Sequence, residues 1–167
     1  MRYLTYKDLY NQSISIESKN LCNDKPVVVF LSHKHEEVNF VLKIKEFFDV
    51  QGIYVKVDWL DPYMPKVTSL ETAYKIRQHI MHSDKFILID SESSKESLWI
   101  PWELGFADGV KGLIDIAVLP VTYNTQEWKG REYYGIYNFL RYDENDTLSL
   151  CNPSGRRIMS LVKWLET

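Results

Sequence analysis

The chain has 167 residues, with 20 Lys plus Arg against 23 Asp plus Glu and a formal net charge of −3. That length fits one domain with a sizeable core, and a content of 45% hydrophobic and 26% charged residues is too apolar for a disordered chain. The slight acidity supplies no electrostatic footprint for nucleic acid or for an anionic membrane, so neither is expected as a partner; a local pocket for one anionic ligand stays compatible with it.

The longest apolar runs, Val27–Leu31 and Ile116–Leu119, fall far short of the roughly 18–20 residues that cross a bilayer. Residues 1–20 are polar and tyrosine-rich, without the pattern of a signal peptide. Cys22 and Cys151 form no CxxC pair, so neither a zinc ribbon nor a thioredoxin-type site is expected. A reduced, cytoplasmic protein is the expectation.

In chain order, Val27–Leu31 is a short β-rich run without polar interruption, the pattern of a strand covered on both faces. Glu36–Val50 has helical spacing, with Asn39, Lys43 and Glu46 on a polar side and Val38, Val41, Leu42 and Phe48 on an apolar one. Gly52 suits the end of that helix. Ile53–Val57 predicts a second strand. Thr68-Ser69-Leu70-Glu71 reads as a capping box opening a second helix, with Leu70, Ala73, Tyr74, Ile80 and Met81 as its buried stripe.

Phe86–Ile89 predicts a third strand. A third helix contains Trp102, Phe106 and Val110; Pro101 belongs in its first turn and Ser97 is its cap. Ile114–Val121 predicts a fourth strand. Beyond Thr122 the pattern weakens, and Ser154–Arg157 leads into Ile158, Leu161, Val162 and Leu165, spaced as a final amphipathic helix. This alternation predicts an α/β fold, a flavodoxin-like open parallel sheet of about five strands flanked by helices. Residues 1–167 are read as a single domain with a motif-bearing core of about 27–121, an N-terminal extension 1–24 and a C-terminal helical region 123–167.

Open parallel sheets bind ligands at the carboxyl ends of their strands. The residues there are Ser32-His33, Asp58-Trp59, Asp90-Ser91 and Thr122-Tyr123, joined from the third helix by Trp99 and Glu103, about one turn apart. Two readings of Glu103 stand side by side. An acid near a helix start is a good helix opener at the surface. A carboxylate between flat walls from Trp99 and Trp102 also suits a reaction that develops positive charge on a sugar, such as breaking an N-glycosidic bond.

The residues Val28-Val29-Phe30-Leu31-Ser32-His33, Val57-Asp58-Trp59, Phe86-Ile87-Leu88-Ile89-Asp90-Ser91 and Ser97-Leu98-Trp99-Ile100-Pro101-Trp102-Glu103-Leu104-Gly105 resemble, in this order, a Toll/interleukin-1 receptor (TIR) domain of the bacterial, enzyme-like branch. The resemblance covers about Val27 to Leu119, and its most specific part is the serine followed by WxxxE and leucine. It implies a TIR fold and cleavage of NAD between nicotinamide and ribose. NAD is then the substrate, and no cofactor is implied. Glu103 would be the catalytic glutamate, contacting hydroxyls of the nicotinamide-bearing ribose. Ser32 and His33 would line the nicotinamide side, Asp58 and Trp59 would border the substrate, Ser91 would lie near the ribose, and Trp99 would support the glutamate. The loop Leu60–Val67 contains Asp61-Pro62-Tyr63-Met64-Pro65 in place of the Arg-Asp-x-x-Pro-Gly of animal receptors, which fits the microbial branch.

No receptor, sensor module or membrane segment accompanies the domain in this sequence, so a stand-alone TIR is expected. It resembles the signal synthase of Thoeris anti-phage defence, which implies a cyclic ADP-ribose isomer or related product that reaches a separate effector protein by diffusion. Homo-oligomers through TIR–TIR contacts are part of the same implication. The alternatives are a non-catalytic TIR interaction module, a secreted effector and a nucleoside deoxyribosyltransferase. His33-Lys34-His35 and the pair His79 and His82 lack acidic or cysteine ligands at matching spacing, so no metal site is expected. His79 and His82 are read as polar-face residues. No GxGxxG, GxxxxGK[ST] or GxSxG occurs.

Overall fold

The computed structural model describes residues 1–10, 27–50, 53–57, 60, 63, 67–123, 128, 130 and 132–167. Its strands are β1 (Leu4–Thr5), β2 (Val28–Ser32), β3 (Tyr54–Lys56), β4 (Lys85–Asp90), β5 (Ile116–Thr122), β6 (Asn138–Tyr142), β7 (Leu148–Cys151) and β8 (Arg157–Ser160). Its helices are α1 (Tyr6–Tyr10), α2 (Val38–Asp49), α3 (Leu70–His82), α4 (Trp99–Lys111) and α5 (Leu161–Leu165). Among the described residues the strands form one sheet in the order β3-β2-β4-β5-β6-β7-β8, with β1 on β5.

The β3-β2-β4-β5-β6 part is parallel throughout and has the strand order of a flavodoxin-like sheet, as the alternation of elements predicts. Such a sheet is buried on both faces, so β4 and most of β5 show no solvent-facing side chain. One apolar layer, under α1, α2 and α5, holds Leu31, Val41, Phe48, Ile89, Leu119 and Trp164. The opposite layer, under α3 and α4, holds Phe30, Ile76, Leu88, Ile100, Leu104 and Val118.

The region 123–167, expected to be helical, instead contributes β6, β7 and β8, and among its described residues helix is confined to α5 and a short 3-10 turn. The turn between β6 and β7 passes through Asp146 at φ 53°, and the turn between β7 and β8 passes through Gly155 at φ 82°, a conformation that favours glycine. Arg157 begins a strand rather than a helix. Asp143 holds the first turn: its carboxylate accepts from Asn145 N at 2.9 Å, Thr147 N at 3.1 Å, Ser149 Oγ at 3.0 Å and Arg157 Nε at 2.9 Å.

The N-terminal extension belongs to the sheet. Leu4 and Thr5 pair with Val121 and Thr122, while Arg2 bridges Tyr142 on β6. Since β6 pairs with β5 only at Ala117 and Val118, residues 2–5 sit as a wedge where the carboxyl halves of β5 and β6 diverge. Leu4 is fully buried.

Two helix faces differ from the periodicity reading. On α3 the buried residues are Thr72, Ile76, His79 and Ile80, whereas Leu70 (91%), Tyr74 and Met81 are exposed. The helix carries apolar residues on both sides, and only packing selects between them. Its capping box is Ser69 with Thr72, one residue later than expected. On α2, Phe40, Val41, Ile44, Phe47 and Phe48 are buried while Val38 and Leu42 are exposed. Gly52 lies outside the described residues. Among the described residues no helix is long and apolar enough to cross a membrane.

Leu4→Ala should cost about 2–5 kcal/mol, read as a lower urea midpoint, because it leaves a void inside the wedge. Burial opposes ionisation of Asp143, yet its hydrogen bonds outweigh that and hold its carboxyl below the ordinary value of 3.8. The stability it contributes is therefore present above that value and lost as pH falls through the lowered folded one. Asp143→Asn should flatten the acid limb of a midpoint-versus-pH curve.

Candidate active site

The chain runs from β2 out to the edge strand β3 and returns to β4 on the opposite side of β2. In a sheet of this order the crevice opens above the carboxyl ends of those two neighbours, where successive crossovers part to opposite sides. Ser32 ends β2 and Asp90 ends β4, so the polar residues after each strand border this crevice.

Alternation along a strand sends consecutive side chains to opposite faces. Ser32 reaches the α4 side, where its hydroxyl donates to Glu103 Oε2 at 2.5 Å. That is the short end of the range for a hydroxyl on a carboxylate. Ser32 is 0% and Glu103 2% exposed. Glu103 is thus buried, and of its two readings the one as a helix opener at the surface does not hold. The burial has a local cause: Glu103 follows Ile100 and precedes Leu104 and Ala107 on the one face of α4 that packs on the sheet.

The start of α4 aims that carboxylate. Leu98, not Ser97, holds the cap position, because the helix already begins at Trp99. Ser97 Oγ, one residue further out, still accepts from Ile100 N at 3.4 Å, and Pro101 occupies the first turn, where a missing N–H costs nothing. Trp99, half-buried, meets Trp102 edge-on at 5.3 Å, and Trp102 lies parallel to Phe106 at 6.3 Å. Arg77 of α3 places its guanidinium 5.3 Å from the Trp102 ring. This aromatic ladder fastens α4 to α3 and holds Trp99 one turn before the glutamate.

His33 is buried, and its Nδ1 lies 2.8 Å from Leu31 O. A carbonyl only accepts, so Nδ1 carries a hydrogen. Its ring stacks on His35 at 5.4 Å. Above the sheet, Lys34 pairs with Glu96 at 2.6 Å, tying the β2 exit to the segment after β4.

Ser91 goes to the α2 side. Its hydroxyl donates to Glu37 Oε2 at 3.0 Å, and its backbone N–H donates to Ser94 Oγ. Ser94 in turn bonds Asp90 Oδ1 at 3.2 Å, and the Trp128 indole donates to Asp90 Oδ2 at 2.6 Å. Tyr6, brought here by the wedge, sits among Glu37, Ser91 and Tyr123; burial first, then the Glu37 charge, pushes its hydroxyl well above the usual phenol value and keeps it protonated.

Of the residues expected at the site, the structure therefore brings Ser32 and Glu103 into contact and places His33, Ser91 and Trp99 at the same rim. Asp58 and Trp59 lie outside the described residues, as does most of the loop after them. Glu37, Tyr6 and Trp128 were missed. Glu37 was absorbed in the helix pattern, and Tyr6 reaches the rim only through a strand of two residues that no periodicity marks. His79 is buried rather than on a polar face.

A buried carboxylate with a hydroxyl fixed on one oxygen, at a rim that also carries indoles and a histidine, can stabilise positive charge where water is scarce. Comparison with known proteins identifies the family. The family model described as TIR domain matches residues 29–149, and the chain belongs to that family. It is 33% identical over 126 residues to a probable 3' cyclic ADP-D-ribose synthase, ThsB', of Bacillus cereus (strain MSX-D12), a match covering 73% of this chain and 64% of that protein. It is 28% identical over 108 residues to a candidate cyclic ADP-D-ribose synthase of Cytobacillus dafuensis, covering 63% of this chain and 28% of that one. The chain thus matches less than two thirds of either relative's length.

Ser32→Ala removes the donor from a buried acceptor, and should lower unfolding stability by about 1–3 kcal/mol in thermal or urea melts.

Proposed function

We propose that this protein cleaves the bond between nicotinamide and ribose in NAD and releases a cyclic ADP-ribose isomer as a signal. The observation that carries the reading is the buried Ser32–Glu103 pair at 2.5 Å, set at the crevice where open α/β sheets in general bind their ligands. The names of the relatives, both cyclic ADP-D-ribose synthases, support the same reaction.

In this reading NAD is substrate. The bond from the ribose carbon to the pyridinium nitrogen breaks, its electron pair stays with the nitrogen, and nicotinamide leaves neutral. Positive charge appears on the ribose, and Glu103 faces it. Ser32 holds one carboxylate oxygen so that the group need not reorganise as the charge develops. Trp99 supports the helix start, and His33 borders the nicotinamide side. Ser91, bonded to Glu37, serves on the ribose side, and Asp58 and Trp59 border the substrate from the β3 exit. An atom of the same molecule then attacks the ribose carbon and sheds any proton it carried, giving the cyclic product. Capture by water instead would give linear ADP-ribose, which makes a dry crevice important.

The signal would act in anti-phage defence on a separate effector protein, with the domain assembling through TIR–TIR contacts. A non-catalytic interaction module is the other reading, and turnover separates the two.

Incubation of the protein with NAD, followed by mass spectrometry, should show free nicotinamide and a species of NAD minus nicotinamide; one water more would mean hydrolysis, and intact NAD would sink the enzyme reading. Glu103→Gln keeps the shape and an acceptor for Ser32 but loses the charge. It should lower kcat by about 10²–10³ with an unchanged circular dichroism spectrum.

A further inference from the structure

The wedge that completes the sheet also assembles a stack of aromatic rings at the rim. Its register pairs Leu4 with Val121 and Thr5 with Thr122, so the next residues along, Tyr6 and Tyr123, come side by side. Their rings stack at 4.3 Å with 21° between planes. On its other side Tyr6 meets Phe40 of α2 at 4.8 Å. Tyr6 packs against the buried layer beneath α2, and Tyr123 is 60% exposed. The three rings step from the core to the surface, and the last presents open ring area at the carboxyl end of β5.

That end has a fixed relation to the Ser32–Glu103 pair. β5 adjoins β4, and β4 adjoins β2, so the two exits are separated by two strand spacings, about 10 Å. A dinucleotide with its pyridine end over β2 and α4 covers this lateral distance while crossing the rim to the α2 side, where Tyr123 meets its second base. Aromatic side chains stack bases through their shared π faces, and a ring already held from beneath loses little freedom when it does so.

We propose that Tyr123, seated on Tyr6, stacks the purine base at the far end of the dinucleotide. This inference rests on the reading of the rim as a NAD site and names the part that holds the half not being cleaved. Tyr123 touches the substrate, while Tyr6 is a positioning residue. Glu37, whose carboxylate faces the same cluster from the start of α2, makes the neighbourhood acidic, so recognition there comes from ring stacking rather than from attraction to phosphate.

The test titrates adenosine monophosphate into the full chain by calorimetry and follows steady-state cleavage of NAD and of nicotinamide mononucleotide, which lacks the purine half. Tyr123→Ala should weaken adenosine monophosphate binding and raise KM for NAD by about tenfold or more. It should leave nicotinamide mononucleotide turnover and the melting temperature unchanged. Tyr123→Phe should behave as the parent, and Glu103→Gln should still bind adenosine monophosphate. The proposal is overturned if the parent does not bind adenosine monophosphate, if Tyr123→Ala binds it equally well, or if KM for both substrates rises together. Binding through Tyr123 in a protein that leaves NAD intact would uphold the base site and remove the catalytic reading, and NAD cleavage with an unchanged KM in Tyr123→Ala would do the reverse.

Discussion

The hydrogen bond from Ser32 to Glu103 joins two elements far apart in the chain, the end of β2 and the start of α4. It exists only because β2 lies beside β4, whose crossover returns through α4 onto the same face of the sheet. A carboxylate enclosed to this degree needs a donor, since burying charge without one is costly. The serine meets that need and at the same time fixes where the negative charge points. Packing behind the pair, from Ile100, Leu104 and Ala107 on α4 and from Phe30 and Leu88 on the sheet, keeps the two side chains from drifting apart.

The rest of the rim is organised by the alternation of strand side chains. One side of the sheet carries Ser32, Glu103, Asp90 and Trp128; the other carries Ser91, Glu37, Tyr6 and Tyr123. A molecule lying along the crevice meets a carboxylate and indoles on one side and hydroxyls and phenols on the other. The TIR domain accounts for the strands beneath this arrangement. The N-terminal wedge, outside the matched span 29–149, supplies Tyr6.

The ends of the chain enlarge the parallel sheet in different ways. The antiparallel strands β7 and β8 extend it beyond β6, fastened by Asp143 and closed at the base by Lys85, which pairs with Asp115 at 2.5 Å and sits under the Trp164 ring. The wedge instead fills a gap within the sheet, at its carboxyl edge. Extension at the far edge leaves the crevice untouched, whereas filling the gap changes what lines it.

The sequence by itself determined the parallel core, because fully buried strands read as unbroken apolar runs and Pro101 with Ser97 marks the opening of α4. It also determined that Ser32, Ser91 and Glu103 share one rim, since element order alone sends strand ends and helix starts there. The C-terminal strands were not legible, as runs of four or five residues are too short for their periodicity to separate strand from helix, and only pairing across the Asp143 and Gly155 turns distinguishes them. Tertiary structure decided which face of α3 is buried, because apolar residues occupy both. It also decided that Glu103 is enclosed and bonded to Ser32, and that Tyr6 reaches Tyr123. Those facts depend on contacts between residues 71 and 117 positions apart, a separation at which local spacing carries no information.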